Sequence, residues 1–459
     1  MTHDDTIAGR MALWLHARHD RGPFAAGPEG RRLARMAIID ALGCLHAGRG
    51  EATVRAIAGV ACAPGAAWLV TGGSADPAMA AMVNGTAAHA LDFDDNFTPG
   101  MSHASAVIVP ALLAVCDMAR PGRDLVDAYL VALQAQAFVG AGVGPGHYAA
   151  GWHGTSTVGS IGTAAGVAYL LGADAEGLRR ALTLACSFAC GTKGQFGTPA
   201  KPFHAGLAAR NAVEAARLAM AGLQGSPQAF EGPQGFAEMF RGPGTPGYDA
   251  DAIDATTVHV IQTDGVVPKL HPCCGSTHLI IDALADLRRT TTIDPDAIAA
   301  IEVKVGIANR RNLPYTRPEN EMQARFSMNY CVAVALRHGQ LTLQDFTTPA
   351  VAARRDDPLL PSLSMTSWSA GDEAGADGTR LPHRITLRMA SGDEHQAERL
   401  YPRGDLREPF PDAAMRAKFL ACCDDAPWAA GLHDALMALD EAPDLRPCAP
   451  LFGRSGDPH

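Results

Sequence analysis

The chain has 459 residues, 47% of them hydrophobic and 19% charged, with a formal net charge of −10. That length exceeds what one hydrophobic core usually serves, so two domains are expected. The acidic balance and the lack of any sizeable Lys/Arg cluster argue against a nucleic-acid partner, and an anionic substrate would have to be held by local cations.

From the N-terminus, apolar and small residues recur at helical spacing over Ile7 to His19, Arg31 to Ala47, Pro77 to His89, Val107 to Ala119 and Asp124 to Phe138. The pattern continues through Ser156 to Leu171, Ala175 to Cys190 and Ala205 to Leu223, with Gly159, Gly162 and Gly166 placed to let helices approach closely. No strand alternates with these helices, which disfavours a parallel α/β sheet. Gly225 to Gly247 is rich in Gly and Pro but carries Phe230, Phe236, Met239 and Phe240, so it reads as an ordered connection.

After about Asp264 the texture changes. A helix over Ser276 to Leu287 leads to Ile301-Glu302-Val303-Lys304-Val305, whose alternation predicts a half-buried strand. A helix over Glu321 to Arg337 follows. Ile385, Leu387 and Met389 then alternate with polar residues, and Ser391-Gly392-Asp393 turns the chain into a hairpin ending near Tyr401. Helical spacing returns over Ala413 to Cys422 and Trp428 to Leu439. The expected organisation is a mostly α protein: an all-helical domain over 1–265, rejoined by 405–459, and a smaller α+β domain over 266–404.

The start Met1-Thr2-His3-Asp4-Asp5 has the pattern of neither a secretory nor a mitochondrial signal, and runs such as Ala106 to Cys116 are too short to span a bilayer. A cytoplasmic protein with no membrane partner is the expectation. Eleven cysteines in mostly apolar settings read as reduced, buried thiols, and without a Cys-x-x-Cys pair a zinc site has little support. Gly140-Ala141-Gly142-Val143-Gly144-Pro145 lacks the spacing and preceding strand of a dinucleotide loop, and no Walker loop, His-Glu-x-x-His or Gly-x-Ser-x-Gly motif occurs.

Chemistry concentrates elsewhere. Asp92-Phe93-Asp94-Asp95, preceded by His89 and followed by Asn96 and by Ser102-His103, gathers carboxylates whose mutual repulsion needs compensating cations. Gly151-Trp152-His153 precedes hydroxyl residues at an expected helix start, where Thr155 and Ser156 suit capping. Lys201-Pro202-Phe203-His204 precedes another helix, and Lys269-Leu270-His271-Pro272-Cys273-Cys274 with His278 stands at the domain change. Taken singly, His89 and His204 read as hydrogen-bonded core residues, and Tyr330 as a ring packed on a core with its hydroxyl bonded.

In order along the chain, these segments together with Arg325-Phe326-Ser327-Met328-Asn329-Tyr330 resemble the MmgE/PrpD family. Its members include 2-methylcitrate dehydratase, cis-aconitate decarboxylase and iminodisuccinate epimerase. The resemblance implies a large helical domain with an α+β lid, a site between them, a homodimer, and chemistry on small polycarboxylates that requires neither a metal nor an organic cofactor.

Carried over by position, it implies Asp92, His103, His153 and Tyr330 as catalytic residues and Lys201 and Lys269 as substrate-binding cations. Two positions depart from the decarboxylase-like members: Asn96 stands where they have threonine, and Cys274 where they have histidine. Both fall among the substrate-binding positions and point to a substrate other than cis-aconitate.

Proton loss or carbon dioxide loss beside a carboxylate needs cations to take up the developing charge, which suits Lys201 and Lys269. His103 and His153 are the candidate base and acid, in either order; Asp92 would orient one imidazole, and Tyr330 would donate to a carboxylate or leaving hydroxyl. The expected activity is elimination from a small hydroxy di- or tricarboxylate. Epimerisation of a dicarboxylate and decarboxylation are the alternatives, and a non-enzymatic metabolite-binding dimer is disfavoured by the retained lysines and histidines.

Overall fold

The computed structural model describes residues 3–17, 21–60, 63–242, 245–376 and 380–454. The chain forms two compact units, one comprising Met1–Gly194, Ala200–Pro268 and Pro411–His459, the other Gln195–Pro199 and Lys269–Phe410. The architecture is mostly α with a smaller α+β part. The predicted helix end at Arg18 and His19, and residues 243 and 244 of the Gly/Pro-rich connection, lie outside the described residues.

The first unit packs helices Ile7–His16, Gly27–Gly48, Pro77–His89, Ala104–Val115, Gly122–Ala149, Val158–Leu170, Ala175–Ala185 and Ala200–Met220 around an alanine-rich core, and helices Asp412–Cys422 and Ala429–Met437 return to it. Small residues set the helix spacing. A Cβ at Gly206 would lie 2.2 Å from the carbonyl oxygen of Met82, so only glycine lets the Ala200–Met220 helix approach the Pro77–His89 helix this closely. That approach brings Lys201 to the end of the Pro77–His89 helix.

The glycine-rich Gly140–Pro145 stretch lies within Gly122–Ala149 as a kink, where Gly144 adopts φ +58°. That helix is long and apolar enough to cross a bilayer, contrary to the run-length expectation, but 89% of its most apolar window is buried inside the protein. It is a core helix.

The second unit carries a four-stranded sheet in the order Leu363–Ser367, Ile298–Val305, His383–Met389, Glu394–Arg399. The first pair is parallel and the other two antiparallel. Ile301, Val303, Val305, Ile385 and Leu387 bury their side chains in a core shared with helices His278–Thr290 and Met328–His338. The single helix expected over Glu321 to Arg337 is broken in two: Asn320 caps Glu321–Ala324, and Ser327 caps Met328–His338 by accepting from the Tyr330 N–H at 3.1 Å. A serine that satisfies an orphan helix donor starts a new helix more readily than it continues an old one.

Candidate active site

The acidic segment begins where the Pro77–His89 helix stops. Asp76 caps that helix and Pro77 occupies its first turn, while at the other end Asp92 takes φ +50°, a left-handed conformation that costs a residue with a Cβ and reverses the chain. Asn96 then pairs through its backbone with Val267, N–H to O at 2.9 Å and 2.8 Å in the two directions, and Phe97 pairs with Ser102. These bridges fold the loop so that His103 stands at the N-cap of the Ala104–Val115 helix. His153 is anchored in its own loop, donating its N–H to Gly191 at 3.2 Å.

At the centre lies the ammonium of Lys201, on the first turn of the Ala200–Met220 helix and not ahead of it as the sequence suggests. Its Nζ is 3.0 Å from Asp92 Oδ1 and 2.9 Å from His89 Nε2. His89 Nδ1 in turn lies 2.9 Å from both oxygens of Asp94. Because an ammonium can only donate and a carboxylate only accept, neutral His89 carries its proton on Nδ1. Asp92, expected to orient an imidazole, binds the lysine, and Asp94 holds the His89 imidazole.

His103 is the half-buried member of the group. Its Nδ1 lies 2.8 Å from the carbonyl oxygen of Asp95 and 3.4 Å from Asp94 Oδ2. A carbonyl only accepts, so Nδ1 bears the proton and Nε2 of the neutral ring carries a lone pair. The backbone N–H of His103 donates to Thr155 Oγ1 at 3.0 Å, so Thr155 ties two loops together and is not the helix cap its position suggests. The His103 ring centroid lies 4.3 Å from that of His89 and 6.3 Å from that of His153. His153 Nδ1 meets His204 Nδ1 at 3.0 Å, a contact that holds one proton between two rings.

Burial governs the electrostatics. It lowers the pKa of His89, with the nearby Asp94 opposing and Lys201 reinforcing the shift. Burial also carries His153 well below its usual value, helped by Lys201 and His204, and brings His204 down to about 4. Asp95 is pushed up to about 7 by burial, against its bonds from Ser105. Burial therefore favours the neutral form of His89, His153 and His204.

Two donor sets, His89/His103/His153 and His89/Asp92/Asp94/His103, have ligand atoms within 4.8 Å of one another. Mixed nitrogen and carboxylate donors suit a transition metal. Here, however, the ammonium of Lys201 already stands between His89 and Asp92, so a dication would face a cation at contact distance. The donor set fits a lysine-centred site better than a metal centre.

Residues 26–249 match the MmgE/PrpD N-terminal domain, and residues 271–429 match the MmgE/PrpD C-terminal domain. The chain belongs to the MmgE/PrpD family. It is 31% identical to human cis-aconitate decarboxylase over 365 residues, which covers 75% of this chain and 72% of the relative. It is 27% identical to the mouse cis-aconitate decarboxylase over 82% of this chain and 78% of the relative, and 25% identical to that of Aspergillus terreus over 91% of each.

In this MmgE/PrpD chain the first unit brings together Asp92, His103, His153 and Lys201, with Asn96 on the same loop. Lys269, Cys274 and Tyr330 belong to the second unit. There Lys269 is fully buried, and Cys274 donates its N–H to the carbonyl of Arg325 at 2.9 Å. The Tyr330 hydroxyl donates to the carbonyl of Asp345 and its ring packs against Phe346.

Sequence reasoning gave His89 and His204 only structural parts and, of the three clustered carboxylates, singled out Asp92 alone for the site. The three-residue spacing of Lys201 and His204, close to one turn of the helix that carries both, was the available signal.

Proposed function

We propose that the protein is a cofactor-independent lyase that removes an α-proton and eliminates water from a small hydroxy di- or tricarboxylate. The observation that carries this reading is the bond from His103 Nδ1 to the Asp95 carbonyl, which leaves Nε2 as a proton acceptor in the half-buried part of a lysine-centred cluster. His103 Nε2 takes the proton from the carbon beside a substrate carboxylate, and the electron pair moves into that carboxylate as an enediolate. Lys201 stabilises this second negative charge in a site largely screened from water. The pair then returns to form the carbon–carbon double bond as the β-hydroxyl departs, taking from His103 the proton it had removed and leaving as water. The substrate-binding cation of the second unit is Lys269, and the assembly is a homodimer.

The relatives favour a second reading. Those reported above are all named cis-aconitate decarboxylases, and loss of carbon dioxide would place a carbanion where the same ammonium stabilises it. A histidine would then deliver a proton to carbon in place of removing one. Asn96 and Cys274, at positions where decarboxylase-like members carry threonine and histidine, favour a different acid.

Proton NMR in deuterated water with citrate-like, malate-like, aspartate-like and cis-aconitate-like acids separates these readings. New alkene signals with retained carboxylates establish elimination. Released carbon dioxide with deuterium on the product carbon establishes decarboxylation, and deuterium exchange with inverted configuration an epimerase. Unchanged spectra across the panel would sink the lyase reading.

A further inference from the structure

A second buried lysine, remote from Lys201 in sequence, also touches the acidic loop. Lys418, on the Asp412–Cys422 helix, is separated from that loop by more than three hundred residues, yet its Nζ donates to the carbonyl oxygen of Phe93 at 2.7 Å. The same Nζ lies 2.6 Å from Asp40 Oδ1 and 4.1 Å from the centroid of the Phe93 ring. Lys418 and Asp40 are 3% exposed at their side chains, so the charge cannot be left to solvent. Burial disfavours the charged form of Lys418, yet Asp40 beside it holds the ammonium above its usual pKa.

Phe93 sits between the two carboxylates that hold the site. Asp92, just before it, binds Lys201 from a left-handed backbone conformation, and Asp94, just after it, binds His89. A residue in that conformation persists only where its surroundings over-determine it. The Phe93 carbonyl belongs to the peptide joining Phe93 to Asp94, so its direction sets where the Asp94 carboxylate points. It also constrains the turn through which Asp92 reaches Lys201. The C-terminal family match extends through residue 429, so Lys418 lies within the family domain although it packs in the first unit.

We propose that Lys418 is a positioning residue for the active site: with Asp40 as counter-ion, it clamps the Phe93 carbonyl and so fixes the Asp92 and Asp94 carboxylates on Lys201 and His89. Lys418 does not itself meet substrate. The part of this proposal that concerns turnover rests on the lyase reading above; the clamp does not.

The test compares Lys418→Met with Asp40→Asn/Lys418→Met. The single variant strands a buried carboxylate and is expected to unfold at lower temperature, whereas the double variant removes both charges. Hydrogen–deuterium exchange at the amides of residues 92–96 reads the clamp without substrate. In the folded double variant these amides are expected to exchange at least tenfold faster, with exchange in the Val158–Leu170 helix unchanged. Turnover is expected to fall about tenfold to a hundredfold, because an ångström of misplacement costs that much, with a displaced pH profile.

Native protection of residues 92–96 in the double variant would overturn the clamp. Faster exchange with an unchanged pH profile and rate would overturn its role in positioning. If the wild-type protein turns over none of the acids, the lyase reading fails while the exchange result still decides the clamp.

Discussion

Two lysines are buried in the first unit, each against a carboxylate, and their neighbours divide their roles. Around Lys201 stand His89, His103 and His153, whose nearest ring nitrogens lie within 4.8 Å of one another, and His103 keeps 14% of its side chain exposed. Around Lys418 stand Asp40, a backbone carbonyl and an aromatic face, with Cys44 and Cys422 close by. Both pairs satisfy the rule that a buried charge must be partnered. Burial of an ammonium is therefore no functional signal by itself. What separates the two is whether the neighbours can change protonation state and whether solvent or a ligand can reach them.

The largest expected effect falls on Lys201. Lys201→Met should lower kcat/KM on the order of a thousandfold, the loss typical of removing a charge that stabilises an oxyanion. Its pairing with Asp92 also means that the single variant loses stability, because a buried carboxylate is left without its cation. Asp92→Asn/Lys201→Met should regain much of that stability and none of the rate, measured by thermal unfolding and steady-state kinetics. A double variant that recovers activity would make Lys201 a structural pair like Lys418.

His103→Gln follows, with a fall in kcat of about a hundredfold and loss of the acidic limb of its pH profile. Near-normal turnover would remove His103 as the base. A smaller effect, about tenfold, is expected from Tyr330→Phe. The hydroxyl is already donated to Asp345, so its deletion leaves an unpaired buried carbonyl and a less stable second unit more than a missing acid.

Helix periodicity carried most of the fold because these helices bury one broad, small-residue face. The Pro77–His89 helix was legible at both ends, since Asp76-Pro77 marks its start and its small-residue pattern gives way to the acidic run. The parallel strand Leu363–Ser367 was not read. Of its five residues only Leu363 is buried, so the alternation that reveals a strand is faint, and its partner Ile301 lies far upstream.

The site was legible as a set of residue types and not as a set of pairs. Asp92 could be recognised, but its bond to Lys201 spans 109 residues, and nothing local tells Asp92 from Asp94 as the partner of an imidazole. Thr155 looked like a cap because it precedes a helix; its bond to His103 is tertiary. Lys418 carried no local mark at all.

The smallest effects concern pH, and they distinguish the two ionisable groups buried at the edge of the Lys201 cluster. His204 is lowered from 6.5 to about 4, so between those values the unfolded chain binds more protons than the folded one and stability falls as pH falls. Asp95 is raised from 3.8 to about 7, so over that interval the folded chain binds more protons and stability falls as pH rises. In the shared window, about pH 4 to 6.5, the two slopes oppose each other. His204→Asn should therefore make the melting temperature less dependent on acid than in the wild type, and Asp95→Asn should make it more dependent. Above about pH 7 Asp95→Asn no longer carries a buried charge and should gain relative to the wild type, offset by its weaker acceptor toward Ser105. If both variants keep the wild-type slope across about pH 4 to 8, these groups do not titrate with folding, and the low dielectric inferred around Lys201 would have to be given up.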